Sequence, residues 1–115
     1  MKKSVSKYKS KKVMYKGMRF DSKKELKRYL VLEREEEQGL ISGLQRQVRF
    51  ELVPKAVNSV TGKTEERAAY YIADFVYTLP TGAKIVEDVK GYRTDTYLLK
   101  RKIMRWRYGI TIKET

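Results

Sequence analysis

Apolar and polar positions along the chain follow two different periods. In QRQVRFELV, residues 45–53, they alternate, with Val48, Phe50 and Leu52 on one face and Gln47, Arg49 and Glu51 on the other. A period of two is that of a half-exposed strand, and Pro54 ends it. AAYYIADFVYTL, residues 68–79, is apolar almost throughout and rich in aromatic and β-branched side chains, which predicts a more deeply buried strand. The PTG at 80–82 predicts a tight turn, so the next strand, AKIVEDVKG, pairs antiparallel with it.

Two stretches carry the helical period instead. In FDSKKELKRYLVLEREEEQG the residues Leu26, Tyr29, Leu30 and Leu32 make an apolar stripe. Ser22 stands at the N-cap with Glu25 three residues on, the spacing of a capping box, and Gly39 fits the C′ position. The acidic run Glu33, Glu35, Glu36 and Glu37 reads as a solvated face. TYLLKRKIMRWRYG predicts a second helix, capped by Thr94 or Asp95 and stopped by Gly109. Its Leu98, Leu99, Ile103, Met104 and Trp106 fall on one broad side, and Trp106 and the other aromatics are expected in the core. ITIKET is a short last strand. A strand, a crossover helix and a strand predict that it joins the sheet in parallel. VMYKGMRF suggests a hairpin or edge strand turning at Gly17, LISGL a turn, and NSVTGKTEER a loop or hairpin tip at Gly62. The order is α-β-β-β-α-β, an α/β domain with a mixed central sheet flanked by helices. That domain is expected over 13–115. Before it, MKKSVSKYKSKK (1–12) carries six lysines and no acid, the composition of a disordered tail that can still add affinity for phosphate.

Composition narrows the function. A chain of 115 residues is one domain with a modest core. Its 27 Lys and Arg against 14 Asp and Glu give a formal charge of +13, which points to a polyanionic partner, most often nucleic acid. With no cysteine there is no disulfide framework or thiolate zinc site, and with no histidine there is no imidazole base, ligand or triad. Chemistry is left to carboxylates, lysine, hydroxyls or an oxygen-bound metal. No apolar run approaches the ~18 residues of a membrane span and no signal-peptide pattern follows the basic start, so a cytoplasmic protein is expected.

Within the apolar strand, Asp74 lies among Ile72, Ala73, Phe75 and Val76, where a lone carboxylate is costly to bury. On the following strand Asp88 and Lys90, two residues apart, share a face, and Glu87 points to the other. The hairpin can bring Asp74 beside Asp88 with Lys90 next to them. Two carboxylates suit Mg²⁺, which takes one or two of them with water and phosphate oxygens. A metal-bound water, an adjacent lysine and a basic surface together suggest phosphodiester hydrolysis. The plainer alternative is an Asp88–Lys90 ion pair on an exposed strand, with Asp74 at a bulge. Tyr92, Arg93, Tyr97, Lys100 and Arg101 follow directly and are candidate phosphate contacts, although a basic helix face is often only solvated.

The stretch ADFVY…IVEDVKGY resembles the PD-(D/E)XK nuclease superfamily, with Ala73 where the superfamily's name has proline. Over roughly residues 15–112 the pattern F-D-S-K-x-E … Q … Y-I-A-D-F-V-Y … D-V-K-G is similar to small phage and prophage nucleases, some related to Holliday-junction resolvases. The resemblance implies a restriction-endonuclease-like core. It implies Asp74, Asp88 and the backbone carbonyl of Val89 as metal ligands and Lys90 as the catalytic lysine. It places Glu25 beside the metal, a role that coexists with capping if the helix start faces the site, and Gln47 in support. The implied activity is that of an Mg²⁺-dependent endodeoxyribonuclease, with Mn²⁺ able to substitute. It would act as a homodimer on branched recombination or replication intermediates in the host cytoplasm. Two alternatives remain open: a non-catalytic nucleic-acid-binding protein on a nuclease-like fold, and an RNA-directed protein, for which no RRM-like or KH-like signature is present.

Overall fold

A computed structural model describes residues 11–90 and 92–115. Most of the basic stretch expected as a disordered tail, residues 1–10, lies outside the described residues. The first strands, β1 (Val13–Tyr15) and β2 (Met18–Phe20), form a hairpin with Tyr15 opposite Met18. Both turn residues, Lys16 at φ 49° and Gly17 at φ 80°, are left-handed, the geometry that matches a two-residue turn to the twist of its strands. Helix α1 (Lys23–Glu37) begins where the Ser22 side chain accepts from the Glu25 N–H, and it ends at Gln38 followed by Gly39.

The central sheet is built from β3 (Ser42–Val53), β6 (Ala69–Thr78), β7 (Lys84–Asp88) and β8 (Lys113–Glu114), in that spatial order. A small separate hairpin of β4 (Ala56–Val57) and β5 (Thr64–Glu66) leaves the sheet between β3 and β6. β3–β6 and β6–β7 are antiparallel and β7–β8 is parallel, so the sheet is mixed, as the turn at 80–82 and the crossover helix predicted. That crossover is α2 (Asp95–Tyr108), capped by Thr94 and closed by Gly109 in the left-handed region. β3 starts earlier than its alternating pattern suggested. Ile41 is already buried and Ser42 already pairs with Thr78, so LISGL is turn and strand together.

The sheet carries one apolar cluster on each face. On the α2 side Leu52, Tyr71, Ala73, Val76, Val86, Tyr97, Met104 and Ile112 pack together, joined by Val48, Phe50, Leu98 and Ile103. On the α1 side are Leu32, Ile41, Phe75 and Tyr77, with Tyr29, Leu44 and Ile85 against them. Each large side chain so buried stabilises the fold by about 1.5–3 kcal/mol relative to exposure. Trp106 corrects the sequence reading: it is 80 % exposed. Helix residues advance ~100° each, so a residue two positions after the buried Met104 points away from the core. Leu99, two positions after the buried Tyr97, is exposed for the same reason.

One departure from regular alternation positions the site. Strict alternation would put Tyr71, Ala73, Phe75 and Tyr77 on one face of β6. Instead Tyr71 and Ala73 pack on the α2 side with Val76, while Phe75 and Tyr77 pack on the α1 side. β3 does the same. Val48 and Phe50 belong to the α2 side, whereas Leu44 lies on the α1 side and the Arg46 guanidinium stacks 3.9 Å from the centre of the Phe20 ring. The register is kept across this exchange: Arg46 pairs with Phe75 below it and Val48 with Ala73 above it. Gln47 and Asp74 therefore stand opposite one another at the crossover. Gln47 has φ 53°, a left-handed conformation that costs a non-glycine residue about 1–2 kcal/mol.

Candidate active site

The crossover gathers the side chains that the sequence singled out. Continuing the β6–β7 register one step past Phe75↔Glu87 sets Asp74 opposite Asp88. Asp74 is fixed by two donors: the Val89 N–H at 2.8 Å on Oδ2 and the Gln47 amide at 3.4 Å on Oδ1. The same Gln47 amide donates to Glu25 Oε2 at 3.0 Å and so bridges two carboxylates. Glu25 comes from the first turn of α1. Its N–H donates to Ser22 Oγ at 3.1 Å, and its Oε1 accepts from the Asp21 N–H at 3.1 Å. Capping and site membership therefore coexist in one side chain, one oxygen holding the helix start and the other facing Gln47.

Asp88 is 3 % exposed. Its Oδ2 accepts from the Tyr71 hydroxyl at 2.5 Å and lies 3.3 Å from Lys90 Nζ. The Lys90 ammonium in turn sits 3.9 Å from the centre of the Tyr97 ring, a cation–π contact that holds it over α2. Lys24 Nζ donates to the Lys90 carbonyl at 2.9 Å and ties the start of α1 to the end of β7.

The electrostatics are those of crowded carboxylates. Burial, and then the neighbouring Asp88 carboxyl, push the Asp74 pKa up to about 8, against the opposing pull of the Val89 N–H; the Glu25 charge adds to the rise. Burial likewise raises Glu25 above its ordinary value. Both acids are thus disfavoured as anions in the absence of added positive charge.

Glu87, adjacent in sequence, has a different role. It points to the α1 face, is fully buried, and accepts from Arg28 Nε and Nη2 at 2.5 and 3.0 Å, Tyr77 at 2.6 Å and Thr115 at 3.0 Å. Burial alone would raise its pKa. The bonds from Arg28, Tyr77 and Thr115 outweigh burial and hold it below the usual carboxylate value. The opposite-face reading of Glu87 is what the structure shows, and its work is structural.

The flanking candidates are placed less directly. Tyr97 is 6 % exposed and its hydroxyl donates to Glu114 at 2.6 Å, so it offers Lys90 a platform rather than a surface for phosphate. Arg93 and Arg101 both form ion pairs with Glu114, at 2.5 and 2.9 Å. Tyr92 is exposed and Lys100 half-buried. Sequence reasoning missed Tyr71 and Lys24. Nothing in their spacing marks them, because Tyr71 meets Asp88 only through the face exchange in β6.

Among the described residues no group of three or more acidic side chains is drawn together tightly enough to hold a metal by itself. Mg²⁺ asks for less, since one or two carboxylates suffice beside water and phosphate oxygens. The donor set of Asp74 and Asp88, with the Asp74 pKa raised by burial and then by its neighbour, fits such an ion. Among the described residues no helix is long and apolar enough to cross a membrane.

No curated protein and no solved structure matches the chain. A family model does, one described as "Protein of unknown function (DUF1064)", and it matches residues 5–114. That span is nearly the whole sequence, and the chain therefore belongs to the DUF1064 family.

Proposed function

We propose that the protein is a metal-dependent endodeoxyribonuclease with a restriction-endonuclease-like core of the PD-(D/E)XK type. It hydrolyses phosphodiester bonds in branched DNA, in the manner of a Holliday-junction resolvase, and it works as a homodimer. The observation that carries this reading is the meeting of Asp74, Asp88, Lys90, Glu25 and Gln47 at one strand crossover in a chain of charge +13.

Asp74 and Asp88, with the carbonyl of Val89, would hold Mg²⁺ or Mn²⁺. When bound, such a cation polarises the phosphate and lowers the pKa of a water molecule. The chain's own residues do the rest. The Val89 N–H sets the orientation of Asp74, and the Tyr71 hydroxyl sets that of Asp88. Lys90, steadied between Asp88 and the Tyr97 ring, presents positive charge to the oxygens of the reacting phosphate. Gln47 couples Glu25 to Asp74 and so ties the start of α1 to the site. The basic surface concentrates the polyanion and makes binding salt-dependent. Selectivity would come from DNA shape, and two-fold symmetry would supply two active sites for paired cuts.

The test is a cleavage assay on four-way, flap, linear duplex and single-stranded DNA in Mg²⁺, Mn²⁺ or chelator, alongside Asp88→Asn and a mass measurement in solution. Cleavage should need the metal, favour branched DNA, and vanish in Asp88→Asn while binding persists. Binding without cleavage under every condition would retire the enzyme in favour of a binding protein. A monomer that cuts linear duplex as fast as a junction would retire the resolvase reading alone.

A further inference from the structure

An open groove of about 940 Å³ lies between α2 and the segment 110–114 that leads into β8. Its floor is apolar, from Leu98, Ile110 and Ile112, and its rim carries Arg101, Lys102 and Arg105 with Trp106 and Leu99 beside them. Trp106 is 80 % exposed, an unusual state for so large an apolar side chain. The one acid in the lining, Glu114, accepts from Tyr97 and is ion-paired with Arg93 and Arg101, so its charge is offset locally.

The groove also adjoins the site. Lys90 sits 3.9 Å and the Arg101 guanidinium 6.0 Å from the centre of the same Tyr97 ring, so one buried tyrosine links the candidate catalytic lysine to the groove rim. A strand leaving the site past Lys90 would meet cations spaced along a helix and then a flat indole. Phosphates pair with such cations, and an unpaired base stacks on such a ring whatever its sequence. A base inside a duplex has its faces covered and cannot use the indole.

From this we infer that the α2 groove is a subsite for single-stranded DNA, in which Trp106 stacks an unpaired base and Lys102 and Arg105 take flanking phosphates. The inference rests on the nuclease reading for its biological use, because it makes the preferred substrate one with unpaired nucleotides beside the cleaved bond. It does not rest on that reading for its test, because binding needs neither metal nor turnover.

Trp106 is the sole tryptophan, so its fluorescence reports on this groove alone. The full chain is titrated in chelator with a ten-nucleotide oligothymidylate, a blunt duplex of equal length, and buffer. The single strand should quench and shift the emission with saturation; the duplex should do so far less at equal phosphate. Trp106→Ala should weaken single-strand binding roughly 5- to 100-fold in an anisotropy assay, with Trp106→Phe retaining most of it. Lys102→Ala with Arg105→Ala should lower the salt slope by about 0.7 for each phosphate that is no longer neutralised. Emission unchanged by the oligonucleotide, or equal affinity of Trp106→Ala and wild type, overturns the inference. So does emission that depends only on protein concentration and tracks a dimer in sedimentation, which would make the groove a contact between copies. Cleavage with no Trp106 signal removes the subsite and leaves the nuclease; a Trp106 signal without cleavage does the reverse.

Discussion

Asp74→Asn is expected to make the metal-free protein more stable at slightly alkaline pH while abolishing cleavage. In the folded chain the Asp74 pKa is pushed up to about 8, mainly by burial and by Asp88; in an unfolded chain it is about 3.9. Between those values the folded chain holds a proton that the unfolded chain has released. The contribution of Asp74 to stability is therefore greatest below pH 4 and declines as pH rises toward 8. One whole proton corresponds to a slope of about 1.4 kcal/mol per pH unit. Asp74 is only partly shielded from water, which softens the effect, and we expect a loss of about 2–3 kcal/mol between pH 5 and 8. Asparagine keeps an acceptor for the Val89 N–H. It gives up only the long 3.4 Å bond from the Gln47 amide, which keeps its partner in Glu25, so the variant loses the slope at small cost. The assay is urea unfolding of both proteins at pH 5, 6, 7 and 8 in chelator at fixed ionic strength, read as the difference between them. At pH 8 the variant should lead by about 2 kcal/mol, and the lead should shrink toward pH 5. Mg²⁺ at ten times its Kd should then raise wild type by about 1.4 kcal/mol and leave the variant unmoved. A difference that stays constant with pH, or a variant less stable at pH 8, would refute the reasoning about crowded carboxylates.

Lys90→Ala should keep metal binding, measured by calorimetry, yet lose about 100-fold or more in single-turnover cleavage at saturating DNA; normal turnover with weaker DNA binding would make Lys90 a phosphate contact only. Arg28→Met should cost about 3–5 kcal/mol in urea unfolding at pH 7, because it strands the fully buried Glu87 without its cation. That deficit should narrow below pH 5 as Glu87 takes a proton, and a loss under about 1 kcal/mol would show the pair to be dispensable. Deleting residues 1–12 should weaken DNA binding on all sequences alike and reduce the log–log salt slope by about 0.9 for each duplex phosphate that the tail had neutralised. An unchanged slope would remove the tail lysines from the interface.

Much of this protein is legible in its sequence. Local signals with a single physical solution led to the observed elements: the Ser22 cap, Gly39 and Gly109 beyond the helix ends, the turn at 80–82 and the alternation of Val48, Phe50 and Leu52. The pairing of Asp74 with Asp88, and the opposite direction of Glu87, also followed from strand periodicity and a short turn. Periodicity failed where tertiary packing overrode it. The exchange of faces at Gln47 and Asp74 breaks the two-residue rule in both strands at once. It arises because Phe75 and Tyr77 find their cavity against α1 while Tyr71 and Ala73 find theirs against α2. Only that exchange brings Tyr71 to Asp88, and only the docking of α1 on the sheet brings Glu25 to Gln47. Trp106 went astray for a related reason. Hydrophobicity says that a side chain gains by burial, but the helix has one buried face, and Tyr97 and Met104 had already claimed it. Local patterning sets the elements and the residue types of the site; which side of the sheet each residue meets depends on how the two helices share it.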